Sequence, residues 1–210
     1  MRRILSAALA WGLIAFATAA HADEPPHFTY APAPPGTLVQ STVVYLAGEA
    51  MHSQWRTVLS KTATQWYLSL YAIDGTTYHL TYRSPSGGTP FPAHGPHITG
   101  ASIVGAGEFM GSGVQQAVIL SHDAAGGGCG TARLDVLFLD AAMQMPMSTL
   151  TLENRCYLSA KVVHGANGDA LAVTGPIRNG NAIEVATATL TFHNGRWTQS
   201  PRAFRMVTGG

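Results

Sequence analysis

Apolar residues recur at every second position along much of the chain, most clearly between Trp66 and Arg83. Apolar and polar side chains alternate from Trp66 to Ala72, Asp74-Gly75 interrupts the pattern, and the alternation resumes at Tyr78. A period of two residues is typical of a strand, and Asp-Gly between two such runs favours a tight hairpin turn. The segment therefore predicts a β-hairpin.

Similar alternating runs cover residues 114–121, 132–140, 169–175 and 182–192, and glycine or asparagine separates them. The turn at Asn179-Gly180-Asn181 and the turn at His193-Asn194-Gly195 each predict a further hairpin. The whole pattern predicts a mainly β fold, an antiparallel meander arranged as a sandwich or as a partial propeller-like structure.

One segment has a different period and predicts a short helix. Between Glu49 and Leu59, apolar side chains follow the spacing of a helical face, at Met51, Trp55, Val58 and Leu59.

The amino terminus has the features of a secretory signal peptide. Arg2 and Arg3 precede an apolar run, and Ala20-His21-Ala22 matches the small-residue cleavage pattern. We therefore expect a signal peptide over residues 1–22 and a periplasmic or secreted protein, with no membrane span after cleavage. A proline-rich extended leader over 23–36 should follow, and then a single β-rich domain over 37–210, with possible halves at 37–83 and 98–210.

The net charge bears on which class of partner the chain can bind, and the cysteines bear on its compartment. Removing residues 1–22 removes two of the 12 Lys and Arg residues and none of the 11 acidic ones, which leaves a net charge of −1. Such a chain lacks the basic surface that nucleic acids require. The two cysteines, Cys129 and Cys156, predict a structural disulfide in an oxidising compartment.

The stretch from Gly105 to Leu120, GAGEFMGSGVQQAVIL, resembles the calcium loop of FG-GAP and VCBS-type repeats. The framework positions are present, at Gly107, Phe109, Gly111 and Gly113, and an apolar strand follows them. The positions that are acidic in the family are here Glu108, Met110, Ser112 and Gln116. Calcium prefers several carboxylates, so the loop predicts a turn rather than a calcium site. A shorter second copy is found at residues 165–169.

A methionine run provides an alternative metal site. Met143, Met145 and Met147 are spaced by two residues, and closely spaced thioethers suit Cu(I). No histidine lies near the run in the sequence. A periplasmic copper-binding protein is therefore an alternative function, while methionines that fill core space are the structural alternative.

The principal functional hypothesis is a non-catalytic binding protein of the bacterial envelope. Four aromatic residues on or near the predicted hairpin suit contact with a protein or a glycan, namely Trp55, Trp66, Tyr67 and Tyr71. The structural alternative is that these rings form a second layer of the core. No catalytic residue is predicted, because Ser121-His122-Asp123 are neighbours along a strand and point to alternate faces. A hydrolase whose site forms only in the folded protein is the other alternative.

Overall fold

The computed structural model describes residues 28–46, 53–84, 98–111, 113–123, 130–140 and 145–208. The predicted signal peptide lies outside these residues. The described chain forms strands throughout and contains no helix, so the prediction of a mainly β, antiparallel fold is confirmed. No helix in the described ranges is long and apolar enough to cross a membrane.

Fourteen strands of the described chain form three sheets, and each sheet contains a four-stranded antiparallel meander. Sheet 1 has the order β1-β5-β4-β3-β2, with β1 Thr29–Ala31, β2 Thr37–Leu46, β3 Ser53–Lys61, β4 Trp66–Asp74 and β5 Thr77–Arg83. Sheet 2 has the order β14-β9-β8-β7-β6, with β6 Ile98–Gly107, β7 Gln116–Asp123, β8 Thr131–Asp140, β9 Met145–Arg155 and β14 Arg205–Thr208. Sheet 3 has the order β10-β11-β12-β13, with β10 Ser159–Val163, β11 Ala170–Asn179, β12 Ala182–His193 and β13 Arg196–Ser200.

Sheet 2 is the middle layer, and two apolar cores hold the layers together. One face of sheet 2 packs against sheet 3, where Leu134, Leu150 and Leu190 are completely buried. The opposite face meets sheet 1 around Leu59, Leu68 and Ile119. Burial of a large aliphatic side chain contributes roughly 1.5–3 kcal/mol, so these cores are the main stabilising term.

The first long strands of the three sheets lie side by side, with β6 between β2 and β10. The side-chain amide of Gln40 on β2 joins this contact, because it donates to the carbonyl oxygen of Ile103 at 2.6 Å and accepts from its N–H at 2.8 Å. The three meanders are therefore in contact through their first long strands.

The predicted helix from Glu49 to Leu59 is wrong for Ser53 to Leu59, which lie in β3; residues 49–52 lie outside the described chain. β3 is a central strand paired with both β2 and β4, and consecutive residues on it, Val58 and Leu59, are both fully buried. A strand buried on both faces carries apolar residues at adjacent positions, and their spacing then imitates a helical face.

The end of the proline-rich leader, residues 28–36, packs against sheet 1. β1 pairs in parallel with β5, and the ring of Phe28 stacks on Tyr78 with 4.6 Å between centroids. Tyr30 contacts Tyr71 edge-on at 4.8 Å. Residues 28–36 include β1, and their aromatic rings pack on the face of sheet 1 that is turned away from sheet 2.

Candidate functional site

The glycine loop between β6 and β7 is a turn. Gly111 and Gly113 have φ angles of 67° and 73°, which glycine adopts without strain. The ring of Phe109 is buried against Trp197, with 5.4 Å between centroids. Gln116 is completely buried, and its side-chain oxygen accepts the N–H of Phe109 at 3.2 Å. Phe109 and Gln116 therefore fix the loop in the core between sheets 2 and 3. Ser112 lies outside the described residues.

The two glycine turns contact each other through Asp169. One carboxylate oxygen of Asp169 accepts the N–H of Glu108 at 2.7 Å, and the other lies 3.4 Å from the N–H of Gly165. The Asp169 N–H in turn donates to the carbonyl oxygen of Glu108 at 3.0 Å. Asp169 thus both accepts from and donates to the main chain of Glu108, through its carboxylate and its own N–H.

Both carboxylates of the two turns are engaged by backbone N–H groups. The Glu108 carboxylate accepts the N–H of Gly113 at 2.7 Å, in addition to the bonds that Asp169 accepts. Among the described residues, no group of three or more His, Cys, Asp or Glu side chains converges as metal ligands. These hydrogen bonds of the two carboxylates stabilise a junction between sheets 2 and 3.

The predicted aromatic surface is wrong for two of its four residues. Tyr71 is completely buried and Trp55 is 7% exposed, because sheet 1 is covered on one face by sheet 2 and on the other by the leader. The Tyr71 hydroxyl donates to the carbonyl oxygen of Pro32 and accepts from Arg83, both at 3.0 Å. Burial raises the pKa of Tyr71, and the hydrogen bond from Arg83 opposes that rise. Trp66 and Tyr67 are partly exposed and do not form a four-ring surface with the other two.

The methionine run is only partly described. Met143 and the side chain of Met145 lie outside the described part of the chain. Met147 lies on β9 and is 38% exposed. The copper site remains a prediction.

Cys156 lies at the end of β9, next to the main chain that follows Cys129. Its N–H donates to the carbonyl oxygen of Gly130 at 3.0 Å, and its φ of 72° is uncommon for a residue other than glycine. Cys129 lies outside the described residues, so the Cys129–Cys156 disulfide remains a prediction. The hydrogen bond to Gly130 places Cys156 opposite the residue that follows Cys129, which supports this pairing.

A groove of about 480 Å³ runs between the end of β9 and the hairpin β11–β12. Its volume lies in the range of ligand-binding clefts. The lining is mostly apolar and carries two arginines; it consists of Asn154, Arg155, Cys156, Pro176, Ile177, Arg178 and Ile183. We call it the hairpin groove.

The walls of the hairpin groove are held in fixed positions. Asn154 donates from its side-chain nitrogen to the carbonyl oxygen of Pro176 at 2.8 Å. A Cβ atom at Gly175 would lie 2.7 Å from the Asn154 side-chain nitrogen and 3.0 Å from the carbonyl oxygen of Tyr157. Only glycine permits so close an approach of β11 to the chain that follows β9. The groove is therefore a built feature of the fold.

The outer rim of the hairpin groove exposes two large aliphatic side chains. Ile183 is 78% exposed and Val185 is 66% exposed, the highest values among the exposed large hydrophobic residues of the described chain. They are two residues apart on β12 and share one face of the strand. Adjacent exposed aliphatic residues beside a groove are typical of a protein-binding surface.

The sequence patterns did not indicate a site at Arg155, Arg178, Ile183 or Val185. A signal was present in the run AIEVATATLTF, where β-branched residues alternate with other residues. This alternation is longer than the part of the strand that packs in the core.

Comparison with family models, with curated proteins and with solved structures finds no match.

Proposed function

We propose that the chain is an exported, non-catalytic binding protein of the bacterial envelope, and that the hairpin groove with its rim binds a protein partner. The single observation that carries the proposal is the exposure of Ile183 and Val185 beside a mostly apolar groove. Burial of these two side chains against a partner would remove apolar surface from water, which is the main driving force of association.

A protein partner fits the surface better than a glycan does. Glycans are commonly bound by stacking on exposed aromatic rings, and Trp55 and Tyr71 are buried in this fold. The rim instead offers branched aliphatic side chains, and these suit the apolar core of a protein interface.

The charges of the groove favour an acidic partner surface. Arg155 and Arg178 both line the groove and are both exposed. Glu184, the acidic residue between Ile183 and Val185, accepts a hydrogen bond from Asn179 at 3.1 Å on the opposite face of the hairpin. Two guanidinium groups therefore lie beside the apolar rim, and they would attract carboxylates of a partner.

The proposal is tested by retention of envelope proteins on the immobilised mature protein, followed by titration with the purified partner. Ile183→Asp should weaken the measured affinity at least about 10-fold, because it places a charge in the apolar contact. Val207→Asp is the matched control, since Val207 is 54% exposed on β14 of another sheet, and it should leave the affinity unchanged. Equal weakening by both variants, or specific retention of glycans alone, would refute the proposal.

A further inference from the structure

The hairpin β11–β12 extends beyond the rest of sheet 3 and has two edges. On one side, β10 ends opposite Thr174. On the other side, β13 ends at Ser200 opposite Thr189, so residues 182–188 of β12 pair only with β11 among the described residues. An unpaired strand edge presents main-chain donors and acceptors to any chain that can add to it.

The two edges differ, because the fold blocks one of them. On the β11 edge, Pro176 has no N–H to donate, and its carbonyl oxygen already accepts from Asn154. The β12 edge has neither a proline nor such a hydrogen bond. Residues 182–188 contain no proline, and no described side chain caps their main chain. Of the two edges of this hairpin, only the β12 edge is therefore open over the described residues.

The pairing pattern identifies which groups point to the open edge. Asn179 pairs with Ala182 across a two-residue turn, and His193 pairs with Arg196 across another. Residues that flank such a turn exchange hydrogen bonds, and bonded and non-bonded pairs then alternate along the strands. Even-numbered residues of β12 consequently bond to β11, and Ile183, Val185 and Thr187 direct their N–H and carbonyl groups outward. Three donors and three acceptors are open in regular alternation.

We propose that a second copy of this chain occupies the open edge, with β12 pairing antiparallel to β12 of the partner copy about a two-fold axis at Val185. The open segment from Ala182 to Ala188 has Val185 at its centre, so the same segment of a second copy fills it from end to end. Each outward N–H then meets an outward carbonyl group, because an antiparallel pair of identical strands is self-complementary.

Side chains select this register. With Val185 opposite Val185 of the partner copy, Ile183 lies opposite Thr187, and β-branched cross-strand pairs of this kind stabilise a sheet. Glu184 then lies opposite the uncharged Ala186. A shift that paired Ile183 with Val185 would bring the two Glu184 carboxylates directly opposite each other, which is destabilising. Sheet 3 would continue as an eight-stranded sheet through the dimer, with a hairpin groove on each copy.

The test is sedimentation velocity of the mature protein between about 1 and about 100 µM, where association depends on concentration. We expect a dimer for the wild type and a monomer for Val185→Pro, because proline removes the central outward N–H without removing a bond to β11. Val185→Ala keeps that N–H and should still dimerise, with an affinity weakened by about 10-fold or less.

A second measurement gives a signal that does not depend on the proline variant folding. Val185→Cys should be joined to its copy by a short bismaleimide linker. Val207→Cys, at another exposed valine on sheet 2, should not be. A wild type that stays monomeric throughout, or a dimer that persists in Val185→Pro without linking through Val185→Cys, would overturn the proposal. Hydrogen exchange gives a third outcome. If the β12 amides were protected from exchange only after the partner protein is added, the open edge would bind that partner, and the dimer proposal would also be overturned. The test measures self-association of this chain alone, so its outcome does not depend on whether an envelope protein binds the hairpin groove.

Discussion

Replacement of Asp169 by alanine tests whether the glycine turns act as a structural junction. The carboxylate is 12% exposed and accepts the N–H of Glu108 at 2.7 Å in a part-buried setting. A hydrogen bond to a charged group contributes about 1.5–3 kcal/mol. The longer contact with Gly165 and the 3.1 Å contact between a ring nitrogen of His164 and the carboxylate are exposed and add about 0–1 kcal/mol together. Asp169→Ala should therefore lower the free energy of unfolding by about 1.5–4 kcal/mol.

The assay is urea denaturation followed by tryptophan fluorescence, with and without a chelator. Asp169→Asn keeps one acceptor oxygen and should lose only about 1–2 kcal/mol. Asp74→Ala is the control, since the Asp74 side chain is 88% exposed and its contact with His79 is 4.0 Å long, and its effect should stay within about 0.5 kcal/mol. An equally small effect for Asp169→Ala would refute the junction. A lower midpoint of the wild type in chelator would show that a bound cation contributes to its stability.

Three further predictions concern ionisation, the disulfide and the methionine run. Burial is the main cause that raises the pKa of three tyrosines, Tyr71, Tyr78 and Tyr82. Their contribution to stability is therefore complete below about pH 10, and it is lost as the pH rises through their pKa values in the folded protein. Ultraviolet titration should show that these tyrosines ionise late, together with unfolding. Cys156→Ser should lower the free energy of unfolding by about 3–4 kcal/mol if Cys129 and Cys156 close a loop of about 28 residues; an intact mass that shows two free thiols would contradict the pairing. Isothermal titration with Cu(I) tests the methionine run, where saturable binding that Met147→Leu weakens would support the copper site and no saturable heat would end it.

Local signals in the sequence predicted the hairpins well. Asp74 and Thr77 close the β4–β5 hairpin around Gly75, whose φ is 57°, and the turns at Gly180 and Asn194-Gly195 also lie where the sequence placed them. Such turns depend on a few adjacent residues, so a single sequence contains the necessary information.

Predictions that required knowledge of distant contacts were less successful. Alternation along β4 showed that Tyr71 and Leu70 lie on opposite faces, but it did not show that the leader covers the Tyr71 face. β3 was predicted as a helix because both of its faces are buried. The packing of sheets against each other determines these outcomes, and it involves residues far apart in the chain.

The hairpin groove was not predicted for the same reason. Its two walls come from residues 154–156 and 176–183, which the sequence separates and Gly175 brings together. The exposed rim on β12 has the same alternation as a buried strand, so the pattern alone did not distinguish Val185 from a core valine. Val185 lies on the face of sheet 3 opposite to Ala188 and Leu190, which are buried against sheet 2.

Site-specific photo-crosslinking in the native compartment tests most directly the claim that the hairpin groove and its rim bind a protein. A photoreactive side chain at Ile183 should give one discrete adduct, with a mass that does not change on glycosidase treatment, and Arg178→Glu should reduce it because the groove would lose its positive charge. The same group at Val207, on sheet 2, should give no such adduct. Absence of an adduct at Ile183, or the same adduct pattern from both positions, would contradict the account.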